Sequence, residues 1–170
     1  MRRLEVERTW LEMRTPPAPA PGAAPPGVRI APATPCPPGY YRFLYGQVGQ
    51  AFKWVDRLRW TDAQLEAYLA DPAVAVWVAV NEVVPMGYFE LVRHPDGSVE
   101  IAYFGLMPWA IGRGRGRWLL EAAIAEAWRG APVRVWLHTC TLDHPAALPN
   151  YLKRGFTVTH REQIVQEVPE

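Results

Sequence analysis

EIAYFGLMPWAIGRGRG, residues 100–116, reads as three pieces in succession: an apolar strand, a short loop and the glycine-rich start of a helix. Glycine carries no Cβ, so it adopts left-handed backbone angles and lets the chain approach a ligand closely. The first turn of a helix leaves N–H groups without intrahelical partners, and the helix dipole places partial positive charge at the same end. Gly112, Gly114 and Gly116, interleaved with Arg113 and Arg115 and followed by Arg117, therefore make a place for an anion. A phosphorylated ligand is the expected occupant. The stretch is not a Walker loop, since no Lys-Ser/Thr pair follows Gly116. Nor is it a good dinucleotide fingerprint, because Arg117 stands where the last glycine belongs.

Outward from this stretch the pattern is that of one mixed domain. Upstream, residues 73–80 (AVAVWVAV) read as a buried strand and Pro85–Arg93 as the next. His94-Pro95-Asp96-Gly97 is a tight turn from which Ser98–Leu106 returns antiparallel. Before these strands lie a helical region from Tyr40 to Phe52 and a second helix that Thr61 and Gln64 start with a capping box. Downstream, residues 115–129 form a helix with only a narrow polar stripe, closed by Gly130. A strand at Pro132–Thr139, a short helix at Pro145–Arg154 and strands at Phe156–Thr159 and Gln163–Val168 complete the chain. Residues 4–13 suggest an extra strand. Ten prolines between Pro16 and Pro38 then build an extended connector, interrupted by a short strand at Val28–Ile30. A boundary is expected after residue 26, dividing an amino-terminal strand and connector (1–26) from the main domain (27–170). Too short to fold alone, the amino-terminal strand must dock on that domain or on a second copy of the chain.

Composition narrows the partners. With 170 residues, 49% of them hydrophobic, the chain can bury one full core. Its formal net charge of +1 supplies no field for DNA or RNA, which argues against an RNA-contacting role for the arginine turn. Cys36 and Cys140 make no disulfide framework, and MRRLEVERTW is too charged for a signal peptide. No apolar run approaches the roughly 20 residues of a membrane helix. A soluble, cytoplasmic protein, away from membranes and nucleic acid, is the expectation.

The element order and two local patterns together resemble the GNAT superfamily of acyl-CoA-dependent N-acetyltransferases. The first is that family's pyrophosphate loop, [Q/R]-x-x-G-x-[G/A], which here maps onto Ile111-Gly112-Arg113-Gly114-Arg115-Gly116, five residues beyond the strand-end Leu106. The second is the late helix Asn-x-x-Ala-x-x-x-Tyr-x-x-x-Gly-Phe, matched by His144, Ala147, Tyr151, Gly155 and Phe156. Ile111 departs from the family's Gln/Arg, and His144 from its Asn. The resemblance covers roughly residues 27–170. It implies a mixed α/β fold around a largely antiparallel central sheet of about seven strands flanked by helices.

It also implies acetyl-CoA as co-substrate and direct attack by a primary amine in a ternary complex. Leu106, where the family's strand bulges, would pair with the pantetheine arm and polarise the thioester through its amide. Residues 111–116 and His144 would complete the cofactor site. Glu100 matches the base of the histone-acetyltransferase branch, and Tyr151 matches the group that protonates the leaving thiolate. For each a plainer reading exists: Glu100 as a solvated strand residue opposite Arg93, Tyr151 as packing, His138 as a core histidine. Tyr40, Tyr41, Tyr45, Trp54 and Trp60 fall where the family covers its acceptor, though core packing accounts for most of them. His138, Cys140, Asp143 and His144 follow no ordinary zinc spacing, so no metal is expected. A non-catalytic acyl-CoA-binding or regulatory module is the alternative function, and a homodimer is within reach of the amino-terminal strand.

Overall fold

The computed structural model describes residues 1–18 and 20–169; Pro19 of the connector and Glu170 lie outside the described residues. Seven strands and four α-helices follow one another as β1 (Arg2–Met13), β2 (Val28–Pro32), α1 (Pro38–Gly49), α2 (Asp62–Ala70), β3 (Val74–Asn81), β4 (Val84–Arg93), β5 (Val99–Leu106), α3 (Arg115–Ala127), β6 (Val135–Cys140), α4 (Ala147–Lys153) and β7 (Thr157–Val168). The strands form a single sheet in the order β2-β3-β4-β5-β6-β1-β7. Every neighbouring pair is antiparallel except β5 and β6. This is the mixed, largely antiparallel fold expected from the sequence.

Alternation along the strands builds a core on each face of the sheet. Phe89, Leu91, Val99, Ile101 and Leu106 point to one side, where α3 lays down Trp118, Leu119, Leu120, Ala123 and Ile124. Val76, Val78 and Tyr88 point to the other, against Tyr41, Leu44, Tyr45 and Val48 of α1 and Leu65 of α2. Thr61 caps α2 as expected: its hydroxyl accepts from the Gln64 N–H, while the Gln64 side chain accepts from the Thr61 N–H. Pro149 sits in the first turn of α4, where a missing N–H costs no intrahelical bond.

The carboxyl-terminal part differs from its sequence reading. The two strands expected at 156–159 and 163–168 are one twelve-residue strand, β7. The expected break, residues 160–162, pairs regularly with β1 as Trp10–His160, Thr9–Arg161 and Arg8–Glu162, and a bulge lies just before it, where the pairs Leu11–Val158 and Trp10–His160 skip Thr159. β7 stays continuous because β1 offers a partner along its whole length, from Arg2–Val168 to Glu12–Thr157. β1 itself is an interior strand. Its Leu11 and Met13 join the core beneath α3, while Arg8, Trp10 and Glu12 alternate onto the opposite face.

Candidate active site

The site begins where two strands part. β5 and β6 run parallel but pair only at Val99–Val135 and Glu100–Trp136. Just beyond, β5 carries an extra residue, Ala102, between the pairs Ile101–Leu91 and Tyr103–Glu90. Such a bulge bends its strand and ends regular pairing. The expected bulge at Leu106 is thus four residues further back; Leu106 itself pairs with Gly87. Between the parted strands opens a cleft of about 390 Å³, walled by Ile101–Leu106 on one side and by His138 and Cys140 on the other.

At one end of the cleft lies the glycine-arginine turn. Gly112, Arg113 and Gly114 take φ of 97°, 58° and 71°, three left-handed residues in a row, after which α3 starts. No side chain caps that helix, and the N–H groups of Gly116 and Arg117 have no partner among the described residues. A Cβ built on Gly112 or Gly114 meets nothing within 4 Å, so the turn is open toward the cleft mouth. Ile111, Gly112, Gly114, Gly116 and Arg117 line the cleft. Arg113 is exposed beside them, and the Arg115 guanidinium lies 5.7 Å from the centre of the Trp109 ring. Open amides beside several guanidiniums fit a pyrophosphate.

α4 closes the opposite wall. The Asn150 side-chain amide donates to the Gly116 carbonyl at 3.3 Å, tying α4 to the turn. His144 Nδ1 accepts the Ala146 N–H at 3.0 Å, and its ring stands edge-on to Phe52. Tyr151 lines the cleft, set edge-on against Phe104 and Phe156. Its hydroxyl makes no hydrogen bond among the described residues. Burial, reinforced by Asp143, raises its pKa, so the phenol keeps its proton.

The far end is aromatic. Tyr103 packs within 5.0 Å of both Tyr45 and Trp54, and its hydroxyl donates to Asp56 at 3.3 Å. Asp143 is held in place by the Trp54 indole N–H (3.2 Å), the Thr139 hydroxyl (2.5 Å) and the Cys140 N–H (3.0 Å). Behind this wall Glu90 is fully buried and accepts from the hydroxyls of Tyr41 and Tyr68 at 2.5 and 2.6 Å, with Arg57 at 3.6 Å. Desolvation raises the Glu90 pKa even so. Arg57 in turn stacks on Trp60, Tyr68 and Tyr103. Of the aromatics singled out in the sequence, Tyr45 and Trp54 reach the cleft; Tyr40, Tyr41 and Trp60 belong to the packing behind it.

The expected site residues divide accordingly. Leu106, Ile111, Gly112, Gly114, Gly116, His144 and Tyr151 share the cleft, while Arg113 and Arg115 flank its mouth. Glu100 is not among the lining residues: its carboxylate lies 2.8 Å from His94 Nε2, whereas Arg93 bonds the Arg129 carbonyl. His138, read as a core residue, instead lines the cleft. Arg8 of β1 and Gln166 of β7 line it as well, brought there by a sheet order that the linear sequence hides. Among the described residues no cluster of metal-ligating side chains occurs, and no helix is long and apolar enough to cross a membrane.

Residues 42–156 match the profile of the acetyltransferase (GNAT) family. No curated protein sequence matches the chain. Among solved structures it is similar to a GCN5-related N-acetyltransferase from Sphaerobacter thermophilus, at 18% identity and a TM-score of 0.69 over 95% of this chain and 50% of that one. A tandem GNAT protein from the clavulanic acid biosynthesis pathway superposes with a TM-score of 0.68 at 17% identity, over 95% and 52% of the two chains. An aminoglycoside acetyltransferase from an uncultured soil metagenomic sample, solved with trehalose, gives 0.62 at 16% identity over 85% and 96%. The chain thus spans about half the length of the first two of these proteins.

Proposed function

The chain belongs to the acetyltransferase (GNAT) family, and from that premise we propose that it transfers an acetyl group from acetyl-CoA to a primary amine of a small molecule. One observation supports this above the rest. A single cleft joins an anion-binding turn, an uncommitted buried phenol and an aromatic chamber.

In this reading the open amides of Gly116 and Arg117, with Arg113 and Arg115 nearby, hold the pyrophosphate. Acetyl-CoA supplies the thioester, and the parted edge of β5 supplies backbone groups to align it, Leu106 among them. Tyr45, Trp54 and Tyr103 enclose the acceptor beside the Asp56 carboxylate, a setting that favours a cationic amine. Tyr151, kept protonated by burial, gives its proton to the departing thiolate. Transfer is direct, with no covalent enzyme intermediate. Glu100, whose carboxylate is engaged by His94 away from the cleft lining, takes no part in the transfer in this reading.

The test is thermal unfolding with acetyl-CoA, with ATP, NAD and an RNA oligomer as comparators, followed by thiol release with primary amines. Ligand at about 100 times its dissociation constant stabilises by roughly 2.7 kcal/mol, a shift of several degrees for a domain of this size. A shift with acetyl-CoA together with amine-dependent thiol release supports the transferase. A shift without turnover supports the binding-module alternative, and no shift at all removes the cofactor assignment.

A further inference from the structure

We infer that the His138 imidazole takes the proton of the acceptor amine, and that Glu100 does not. The inference rests on the acetyl-transfer reading above and names the missing half of its proton chemistry. His138 lies on β6 where that strand parts from β5, and it lines the same cleft as Leu106 and Tyr151. The other three histidines are committed: His94 to Glu100, His144 to the Ala146 N–H and His160 to the Thr159 hydroxyl. Neither nitrogen of His138 makes a hydrogen bond among the described residues; its one ring contact is Trp10 of β1, 4.8 Å away and tilted by 55°. An imidazole on the wall of a reaction cleft, with both nitrogens unbonded among the described residues, is placed to take a proton there.

A base must also be neutral when the amine arrives. The charged groups around His138 are Arg8 from β1, Glu100 from β5, Asp143 from the loop after β6 and Asp56 from the segment before α2. Desolvation by the surrounding cleft wall and Arg8 lower its pKa, while the three carboxylates oppose them; the balance stays below the ordinary histidine value. His138 is therefore mostly neutral at pH 7. Once the bound ammonium has shed one proton to solvent, the neutral amine nitrogen bonds to the thioester carbon, the carbonyl electron pair moves to oxygen, the nitrogen becomes strongly acidic and its proton passes to His138. Re-formation of the C=O bond expels the thiolate, which takes the Tyr151 proton. The imidazolium proton returns to the phenolate through solvent, so, counted from the neutral amine, nitrogen has lost one proton and sulfur gained one.

The experiment measures thiol release from acetyl-CoA between pH 6 and 9 with a panel of alkyl, aryl and polyamine primary amines, for the wild type, His138→Ala and Glu100→Gln. General-base loss typically costs about 10²–10⁴-fold. The expected result is a drop of that order in kcat for His138→Ala, partial recovery on adding imidazole, and loss of the acidic limb of the pH profile. Acetyl-CoA should stabilise this variant against heat as it does the wild type, and Glu100→Gln should stay within a few-fold of the wild type. Turnover by His138→Ala within a few-fold of the wild type, or the large loss appearing in Glu100→Gln instead, would overturn the assignment. If the wild type is stabilised by acetyl-CoA yet releases thiol with no amine, the transferase reading fails and this assignment falls with it.

Discussion

The Tyr151 hydroxyl stands in the cleft with no hydrogen-bond partner among the described residues and a pKa raised by burial, which suits the proton donor proposed for it. Tyr151→Phe removes one oxygen and leaves the contacts with Phe104 and Phe156 in place. Turnover should fall by about 10²-fold or more, while the thermal shift with acetyl-CoA stays as in the wild type. Equal turnover in the variant would return Tyr151 to packing alone. Glu90 makes a second prediction. Its folded pKa is raised by burial, so between the ordinary carboxylate value and that raised value the native state holds a proton that the unfolded chain does not. Its contribution to stability is complete below the ordinary value and is lost as pH rises through the raised one. The deficit of Glu90→Gln against the wild type, measured by urea unfolding, should therefore be larger near pH 4.5 than at pH 7. A deficit that shrinks on acidification would mean that Arg57 and the two tyrosines outweigh desolvation. Tyr151 was legible because its spacing to Gly155 and Phe156 is a linear pattern. His138 was not, since its exposure to the cleft depends on β5 and β6 parting beside it.

Among the elements, β5 decides whether a cleft exists. Its extra residue at Ala102 ends the pairing with β6, and Gly105 then admits Val48 of α1 against the strand. A Cβ on Gly105 would stand 2.4 Å from Val48 Cγ1, closer than side-chain carbons approach. Gly105→Ala must push α1 outward, and overpacking of this kind costs about 1–3 kcal/mol. At roughly 2–4 °C per kcal/mol for a domain of this size, the melting temperature should fall by several degrees. Val48→Ala in the same chain should recover part of the loss, whereas no recovery would place the strain elsewhere. Elements whose signals are local came through the sequence reading well: the Thr61 cap, the turn at His94–Gly97 and the glycine start of α3. The fused β7 did not, because the polar run His160-Arg161-Glu162 reads as a loop until β1 is seen pairing with all three residues.

For the molecule as a whole, the consequential element is the one farthest from the family's profile. β1 lies before the matched residues 42–156, yet it fills the sheet between β6 and β7. It also brings Arg8 to the cleft and packs Trp10 against His138. Removing residues 1–13 would leave two long strand edges open and uncover Leu11's and Met13's places in the core. The remaining chain should lose its cooperative thermal transition or associate, with exposed edges pairing between copies. Supplying a peptide of residues 1–18 in trans should restore a single transition and the monomer-like elution of the truncated chain, since β1 reaches the sheet through a proline-rich connector rather than a tight turn. A truncated chain that unfolds at the wild-type temperature without the peptide would show that β6 and β7 close on each other. The same physics bears on oligomers: a strand on a long extended leash can fill its own slot or a neighbour's, and the slot's twelve-residue partner strand accepts either. Size-exclusion chromatography of the full chain after dilution from denaturant at low and high concentration separates these outcomes. Exchange of β1 between copies should appear as dimer formed only at high concentration, and a single elution position at both would confine β1 to its own chain.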